Sequence, residues 1–210
     1  SFKNLNEKLK NFKYIIHLVG MNKINASNTK NKSLNIKKNV TEKICKICKR
    51  NKIKLIYISS IQIYKNFEKL KKIQTRCLID KKNAYSKSHA LAEDIIINHF
   101  NNDKNNFIIV RLANVFGHRR SMKKINNENI VNNFCYNALK KGIIYLKKPS
   151  LCRNFIPSRV FINLITKILS AKNLNNNVTN FGYKTYDLKK ISEIISKRFM
   201  YIFKFKIKIK

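Results

Sequence analysis

Three side chains, at positions 60, 85 and 89, have the types and the spacing needed to move a proton. Tyr85 and His89 are four residues apart in a segment with helical apolar spacing, so they lie on one face of a predicted helix. Ser60 ends the preceding apolar run, 25 residues before Tyr85. A serine at a strand end and a tyrosine at the start of the next helix can hold one substrate oxygen, while the tyrosine gives or takes a proton. Because a phenol with a pKa of about 10 is a poor base at neutral pH, this chemistry needs a neighbouring cation.

The elements that must position these residues alternate between buried strands and amphipathic helices. Apolar runs at 14–20, 53–60 and 106–117 predict strands, and helical spacing predicts helices over 39–52 and 83–100. This alternation predicts an α/β fold with a parallel sheet. Ligands of such sheets bind at the carboxyl ends of the strands, so the chemistry is expected there.

Beyond residue 120 the pattern changes, and we expect a smaller second lobe laid across the sheet's carboxyl edge. The predicted elements are helices over 127–142, 158–173 and 187–199, the last opened by Asp187 as N-cap, and strands over 143–146 and 177–182. The last residues alternate apolar side chains with lysine, which favours a frayed basic tail or an edge strand over a membrane or nucleic-acid arm.

The charge is strongly unbalanced: 46 lysines and arginines against 10 acidic residues give a net charge of +36 over 210 residues. Such a balance first suggests a polyanion-binding protein. The lysines are spread along the chain, however, among many asparagines and isoleucines, which is the profile that A/T-rich codons produce. We therefore expect no specific nucleic-acid partner and only salt-sensitive attraction to polyanions.

The cysteines and histidines outside the Tyr85 segment indicate packing and not metal binding. Cys45 and Cys48 form a C-x-x-C without a second pair to complete a zinc site, and they lie in a helical pattern. His17, in an apolar run, is expected to be a packed polar residue. The five cysteines and the lack of a secretory signal predict a reduced, cytoplasmic location. No apolar run approaches the roughly 18 residues that a membrane span needs.

Six segments, in order along the chain, resemble the motifs of one family. They are IIHLVGMN (15–22), LNIKKNVTEKI (34–44), IYISSIQIY (56–64), VRLANVFG (110–117), RNFIPSRV (153–160) and NVTNFGYKTYDLKKISEII (177–195). The chain resembles the extended short-chain dehydrogenase/reductases, the NAD-dependent epimerase/dehydratase group that acts on nucleotide sugars. This resemblance implies a Rossmann-type parallel sheet in a partial NAD(P)-binding domain (1–120). It also implies a small C-terminal substrate-binding lobe, interleaved with that domain, with a basic tail (121–210).

The resemblance also implies a role for each matching residue. The catalytic residues would be Ser60, Tyr85 and His89. NAD or NADP would lie beside Leu18, Val19, Gly20, Tyr85 and His89. The nucleotide-sugar substrate would contact Met21, Gln62, Asn114 and Arg153. A homodimer is left open.

The first departure from the family pattern is His89, which stands where the family has the lysine of Tyr-x-x-x-Lys. A branch of the family carries Tyr-x-x-Ser-His with His-Leu-Ala-Gly-Met-Asn, and this chain has both forms in YSKSH and HLVGMN. We expect activity to depend on a protonated His89, since Lys87 at i+2 points away from Tyr85. Lysine at position 89 should then preserve or raise turnover and shift the pH profile to alkaline values. The alternative is that His89 is a surface helix residue.

The second departure is the phosphate-binding turn. The family needs Gly-x-x-Gly-x-x-Gly after its first strand, and none of the four glycines here forms one. We expect the corresponding strands to precede residue 1, and no tight NAD binding by the 210 residues alone. The leading hypothesis is an epimerase, dehydratase or reductase of nucleotide sugars. The alternatives are a catalytically degenerate relative acting as a binding module and a polyanion-binding protein.

Overall fold

The computed structural model describes residues 2–19, 30–67, 73–101, 106–117, 129–175 and 177–210. The helices are α1 (Phe2–Leu9), α2 (Lys30–Asn51), α3 (Ala84–His99), α4 (Ile130–Lys141), α5 (Ser158–Ser170) and α6 (Leu188–Phe203). The strands are β1 (Tyr14–His17), β2 (Lys54–Ser60), β3 (Phe107–Leu112), β4 (Asn114–Phe116), β5 (Ile143–Ile144), β6 (Cys152–Pro157), β7 (Asn177–Phe181), β8 (Lys184–Asp187) and β9 (Lys208–Ile209). A 3₁₀ turn, Ile61–Ile63, follows β2.

A parallel sheet with the strand order β1-β2-β3-β7 forms the centre of the first compact unit, which comprises Ser1–Leu112 and Thr166–Phe181. Every neighbouring pair in this sheet is parallel, with His17 opposite Tyr57 and Ser60 opposite Leu112. The apolar runs of β2 and β3 are nearly continuous because strands of a parallel sheet are covered on both faces. The predicted α/β fold with a parallel sheet is therefore confirmed.

Helices α2 and α3 pack on one face of this sheet and build its main core. The core side chains are Ile44, Cys45, Ile47, Cys48, Ile53, Leu55, Tyr57, Ala92, Ile96, Phe100, Phe107 and Ile109. On β2 and β3 the core side chains are every second residue, so Leu55 and Tyr57, with Phe107 and Ile109 on the neighbouring strand, face the same two helices. Burying each large apolar side chain stabilises the fold by about 1.5–3 kcal/mol. This packing fixes the position of α2 and α3 relative to the carboxyl end of β2.

The second compact unit comprises Ala113–Ile165 and Gly182–Lys210. Strands β4, β6 and β8 form one sheet, and the short β5 and β9 form another. Helix α4 ends at Gly142, which adopts a left-handed conformation with φ of 65°, as a helix C-cap prefers. Asp187 caps α6 by accepting a hydrogen bond from the backbone N–H of Lys190, so the predicted N-cap is confirmed.

Three predicted segments have different bounds in the structure. The helix expected over 39–52 begins at Lys30, nine residues earlier. The strand expected over 106–117 breaks at Ala113, and its two halves join different sheets. The tail is not a period-two strand throughout, because 201–203 continue α6 and only Lys208–Ile209 pair with Ile143–Ile144. In the two strand cases, pairing with a distant strand set the boundary that local pattern could not.

Candidate active site

Two capped turns bring the start of α3 against the end of β2. Ser60 ends β2, and its Oγ accepts a hydrogen bond from the backbone N–H of Gln62 at 3.1 Å. Asn83 caps α3, accepting from the backbone N–H groups of Tyr85 at 2.9 Å and Ser86 at 3.4 Å. The Ser86 hydroxyl donates to the carbonyl oxygen of Gln62 at 2.8 Å. The residue after Tyr85 is thus tied to the turn that Ser60 opens.

This arrangement places the two predicted catalytic hydroxyls on elements that touch. Ser60 is buried at the carboxyl end of β2, and Tyr85 is half-buried in the first turn of α3. Gln62, predicted to line the sugar pocket, lies in the turn between them and contributes its backbone groups to both contacts. The joint action of Ser60 and Tyr85 on one substrate oxygen stays a prediction.

His89 lies one turn beyond Tyr85 and is buried, with 7% of its surface exposed. The ring centroids of Tyr85 and His89 are 4.6 Å apart. The alternative that His89 is a surface helix residue is therefore wrong. Lys87 is exposed, as expected from its position two residues after Tyr85.

Two residues that sequence reasoning missed contact His89 directly. The ammonium nitrogen of Lys37, on α2, lies 3.0 Å from His89 Nδ1. The hydroxyl of Tyr57, on β2, lies 3.0 Å from the same nitrogen. Lys37 Nζ is also 5.6 Å from the centroid of the Tyr57 ring. We call Lys37, Tyr57, His89 and Tyr85 the tyrosine–lysine cluster.

The signal for Lys37 was present in the sequence. Lys37 precedes Val40, Thr41 and Ile44 by three, four and seven residues, so it lies on the helix face that carries the apolar stripe of α2. The predicted helix began at residue 39, two residues too late to include it. Tyr57 gave no such signal, because a strand buried on both faces shows no alternation.

His17 extends the cluster toward β1. Its Nε2 lies 3.0 Å from the Thr41 hydroxyl, and its Nδ1 accepts a hydrogen bond from the backbone N–H of Val19 at 3.3 Å. The rings of His17 and Tyr57 are 5.1 Å apart. The expectation of a packed polar histidine is confirmed.

Burial and mutual repulsion set the charges in this region. Burial, with a smaller contribution from Lys37, lowers the pKa of His17 to about 4. Burial, then Lys37, then His17 lower the pKa of His89 well below its usual value. Burial lowers the pKa of Lys37 to about 7, partly opposed by Glu93. Burial raises the pKa of Tyr57 well above its usual value, with smaller contributions from Glu93 and Tyr85.

These shifts run against one expectation from the sequence. We expected activity to depend on a protonated His89, but the low dielectric around it and the nearby ammonium both favour the neutral imidazole. The positive charge of the cluster therefore resides on Lys37 whenever that amine is protonated.

A buried ion pair anchors the cluster from β3. The Arg111 guanidinium contacts the Glu93 carboxylate at 2.6 Å, and it also donates to the Tyr64 hydroxyl at 2.8 Å and the Thr75 carbonyl at 2.9 Å. Tyr64 in turn donates to Asn180 on β7 at 2.7 Å. Glu93 raises the pKa of Arg111 against the opposing effect of burial. This bonding joins α3 to two strands of the sheet.

The predicted cofactor residues lie partly within the described chain. Leu18 and Val19 follow β1 at its carboxyl end and expose 65% and 42% of their surfaces. Gly20 and Met21 lie outside the described residues. No role is assigned to either from the structure.

The other two predicted substrate residues lie in the second unit, on neighbouring strands. The side-chain amide of Asn114, on β4, donates to the backbone carbonyl of Asn154 on β6 at 2.9 Å. Arg153, also on β6, is half-buried and donates to the Cys152 carbonyl at 3.3 Å. Their contacts with a nucleotide diphosphate stay predictions.

The remaining sequence features pack as structure. Cys45 and Cys48 are buried in the core beneath α2, and burial raises the pKa of each thiol to about 12, so both are inert helix thiols. Within the described ranges, no three His, Cys, Asp or Glu side chains gather as a metal ion would require. None of the helices described is long and apolar enough to cross a membrane.

Solved structures with the same fold include nucleotide-sugar enzymes. UDP-N-acetylglucosamine 4-epimerase from Bacillus cereus superposes with a TM-score of 0.78 at 19% identity, over 95% of this chain and 66% of that one. dTDP-glucose 4,6-dehydratase from Bacillus anthracis str. Ames, solved with NAD, gives 0.77 at 18% identity, over 94% and 61%. RMD from Pseudomonas aeruginosa, complexed with NADPH, gives 0.79 at 18%, over 100% and 71%. The chain thus spans less than two thirds of the length of the first two enzymes.

Because the sequence identities to these solved structures are low, the superpositions establish only that the folds are alike. No curated protein matches the sequence. A family model, however, matches residues 2–183, which is most of the chain. The chain belongs to the NAD dependent epimerase/dehydratase family.

Proposed function

We propose that this chain carries the proton-transfer site of an NAD(P)-dependent epimerase, dehydratase or reductase that acts on a nucleotide-linked sugar. The observation that carries the proposal is the Ser86–Gln62 hydrogen bond of 2.8 Å, which ties the first turn of α3 to the turn opened by Ser60. It supports a site in which Tyr85 and Ser60 serve the same substrate oxygen. Family membership supports the class of reaction.

In this mechanism Tyr85 is the proton acceptor and donor. As the phenolate, its oxygen takes the proton from a sugar hydroxyl while that carbon becomes a carbonyl, and the resulting phenol returns the proton in the reverse step. Ser60 Oγ donates a hydrogen bond to the same sugar oxygen and holds it beside Tyr85. The nicotinamide cofactor, when bound, supplies the hydride chemistry at the sugar carbon.

The residues at this sheet edge fit one end of that cofactor. Leu18 and Val19 present exposed apolar side chains directly after β1, where the family's pattern places the nicotinamide. The Gly-x-x-Gly-x-x-Gly turn that holds the pyrophosphate in the family does not occur in the 210 residues. The described chain therefore offers groups for the nicotinamide end, and Asn114 and Arg153 are proposed for the sugar nucleotide's diphosphate.

The test is turnover by the full-length gene product on a panel of UDP-, dTDP- and GDP-linked sugars, each with NAD and with NADP. Tyr85→Phe removes one hydroxyl and should lower kcat by about 10²–10⁴-fold, because that range is typical for a lost general acid–base. Tyr201→Phe is the matched control, since Tyr201 is 69% exposed on α6 and should turn over normally.

Two results would refute the proposal. One is a Tyr85→Phe enzyme with wild-type kcat. The other is an intact full-length protein that binds a nucleotide sugar but leaves it unchanged with either cofactor, which would favour the non-catalytic binding module.

A further inference from the structure

Lys37 is the feature that the proposed chemistry has not used. Among the described lysine side chains it alone is buried, with 2% of its surface exposed, while its neighbour Lys38 faces solvent. Burying an ammonium costs free energy unless the ammonium is paired with a hydrogen-bond acceptor or an opposite charge. Its contact in this structure is Nδ1 of His89, at 3.0 Å, and not a carboxylate.

That contact determines which nitrogen of His89 carries the hydrogen. An ammonium has three donors and no acceptor, so it can approach Nδ1 only if Nδ1 offers a lone pair. A neutral imidazole with its lone pair on Nδ1 carries its hydrogen on Nε2. The Tyr57 hydroxyl, 3.0 Å from the same nitrogen, can donate to the same lone pair. The ammonium therefore selects the tautomer and the hydroxyl is compatible with it, with the Nε2 hydrogen directed away from both.

The ring so fixed lies against Tyr85, at 4.6 Å between centroids. In the family pattern, position 89 is a lysine that lowers the pKa of the tyrosine. Here that position holds a neutral ring with an ammonium 3.0 Å from its Nδ1.

We propose that Lys37 is a positioning residue for Tyr85. Its ammonium fixes the Nε2–H tautomer of His89 and supplies, one imidazole ring away, the positive charge that the family takes from a lysine at position 89. This inference rests on the proposed function, because it assigns Lys37 a part in the Tyr85 proton transfer.

The surroundings of Lys37 decide how its charge responds to pH. The titratable or charged groups that act on Lys37 or on its neighbours are His17 on β1, Tyr57 on β2, Arg111 on β3, and Tyr85, His89 and Glu93 on α3. Glu93 favours the ammonium, but its carboxylate is shared with Arg111. A negative charge forming on Tyr85 during the reaction would also favour it. We therefore expect turnover to fall as pH rises through the titration of Lys37.

The kinetic test compares Lys37→Met with Lys38→Met, which removes an equal charge from the neighbouring exposed position. Lys37→Met should lower kcat by roughly 10–100-fold, the effect of losing a unit charge one ring away. The KM for the nucleotide sugar should change by less than about threefold, since the contacts of Lys37 are with His89 and Tyr57. The alkaline limb of the pH profile should disappear, whereas Lys38→Met should match the wild type.

Rescue separates a charge role from a packing role. In the double variant Lys37→Met with His89→Lys, the cation stands where the family has it, and most of the lost kcat should return. A Lys37→Met enzyme with normal kcat and pH profile, or a loss that His89→Lys does not rescue, would overturn the proposal.

A measurement without turnover keeps this inference separate from the proposed function. In protein labelled with ¹⁵N-histidine, the ring nitrogens of His89, identified from their loss in His89→Asn, report the tautomer. The expected result is a protonated Nε2 and an unprotonated Nδ1 in the wild type, and a raised His89 pKa in Lys37→Met. A hydrogen on Nδ1 in the wild type would overturn the Lys37 contact even if the enzyme is active. The expected spectrum without turnover on any sugar would instead count against the proposed reaction alone.

Discussion

The burial of Lys37 makes a quantitative prediction about stability. Its pKa falls from 10.5 to about 7 on folding, mainly through burial. At 1.36 kcal/mol per pKa unit, this difference corresponds to about 5 kcal/mol between the fully protonated and fully neutral limits. Because the side chain is 2% exposed, solvent screening removes little of it.

The sign of the pH dependence follows from proton counting. Between pH 7 and pH 10.5 the unfolded chain holds a proton on Lys37 that the folded chain has released. Stability from this group therefore rises with pH, by about 1.4 kcal/mol per pH unit in the middle of that window. From pH 7.5 to pH 9.0 the expected gain is about 2 kcal/mol.

The assay is urea unfolding of the wild type, Lys37→Met and Lys38→Met at pH 7.5 and pH 9.0, with a thiol reductant present. The free energy of unfolding of the wild type relative to Lys37→Met should increase by about 2 kcal/mol between the two pH values. Other titrating groups, including the buried thiols, are common to both proteins and cancel in the comparison. Lys38→Met should show no such change. If the wild type and Lys37→Met differ by the same amount at both pH values, within about 0.5 kcal/mol, Lys37 is not buried as described.

Two further predictions concern the same helix. Glu93→Gln should lower the free energy of unfolding by about 3–5 kcal/mol, because it leaves the buried Arg111 guanidinium without its carboxylate. A loss below about 1 kcal/mol, measured by urea unfolding, would contradict the stabilising role of this ion pair. His89→Lys alone should lower both turnover and thermal stability. The new ammonium would replace an imidazole that lies 3.0 Å from Lys37, so two positive charges would face each other. Unchanged or raised turnover and stability would restore the expectation drawn from the sequence.

The sheet was predictable from the sequence because local pattern and tertiary packing agree there. The apolar runs that form β2 and β3 are too short for helices and are bounded by polar residues, so run length and run boundaries both predict strands. Ser60 and Tyr85 were found for the same reason, since each lies where a recognisable element begins or ends. The cap of α3 at Asn83 and the bond from Ser86 that joins α3 to the turn after β2 use ordinary polar residues that no spacing marks as special.

Lys37 escaped prediction because of the composition of the chain. With 46 lysines and arginines among 210 residues, one more lysine in a helix carries little information. Its position on the apolar stripe of α2 was the distinguishing feature, but that stripe was read only from residue 39 onward. Its partner, moreover, is 52 residues away in sequence, a separation at which no helical or strand periodicity relates two side chains.

The stability cost of Lys37 is itself an argument for a role in chemistry. A methionine or leucine at this position of α2 would continue the stripe of Val40 and Ile44 without the desolvation of an ammonium. Retaining the lysine makes sense if its charge does something that a hydrophobic side chain cannot, and its contact is the residue that replaces the family's lysine. Histidine at position 89 and lysine at position 37 are then interdependent: the imidazole has no charge of its own to offer Tyr85, and the ammonium is not at position 89. The double variant that moves the cation back to position 89 tests this dependence directly, because it removes the buried charge and restores the family's arrangement in one protein.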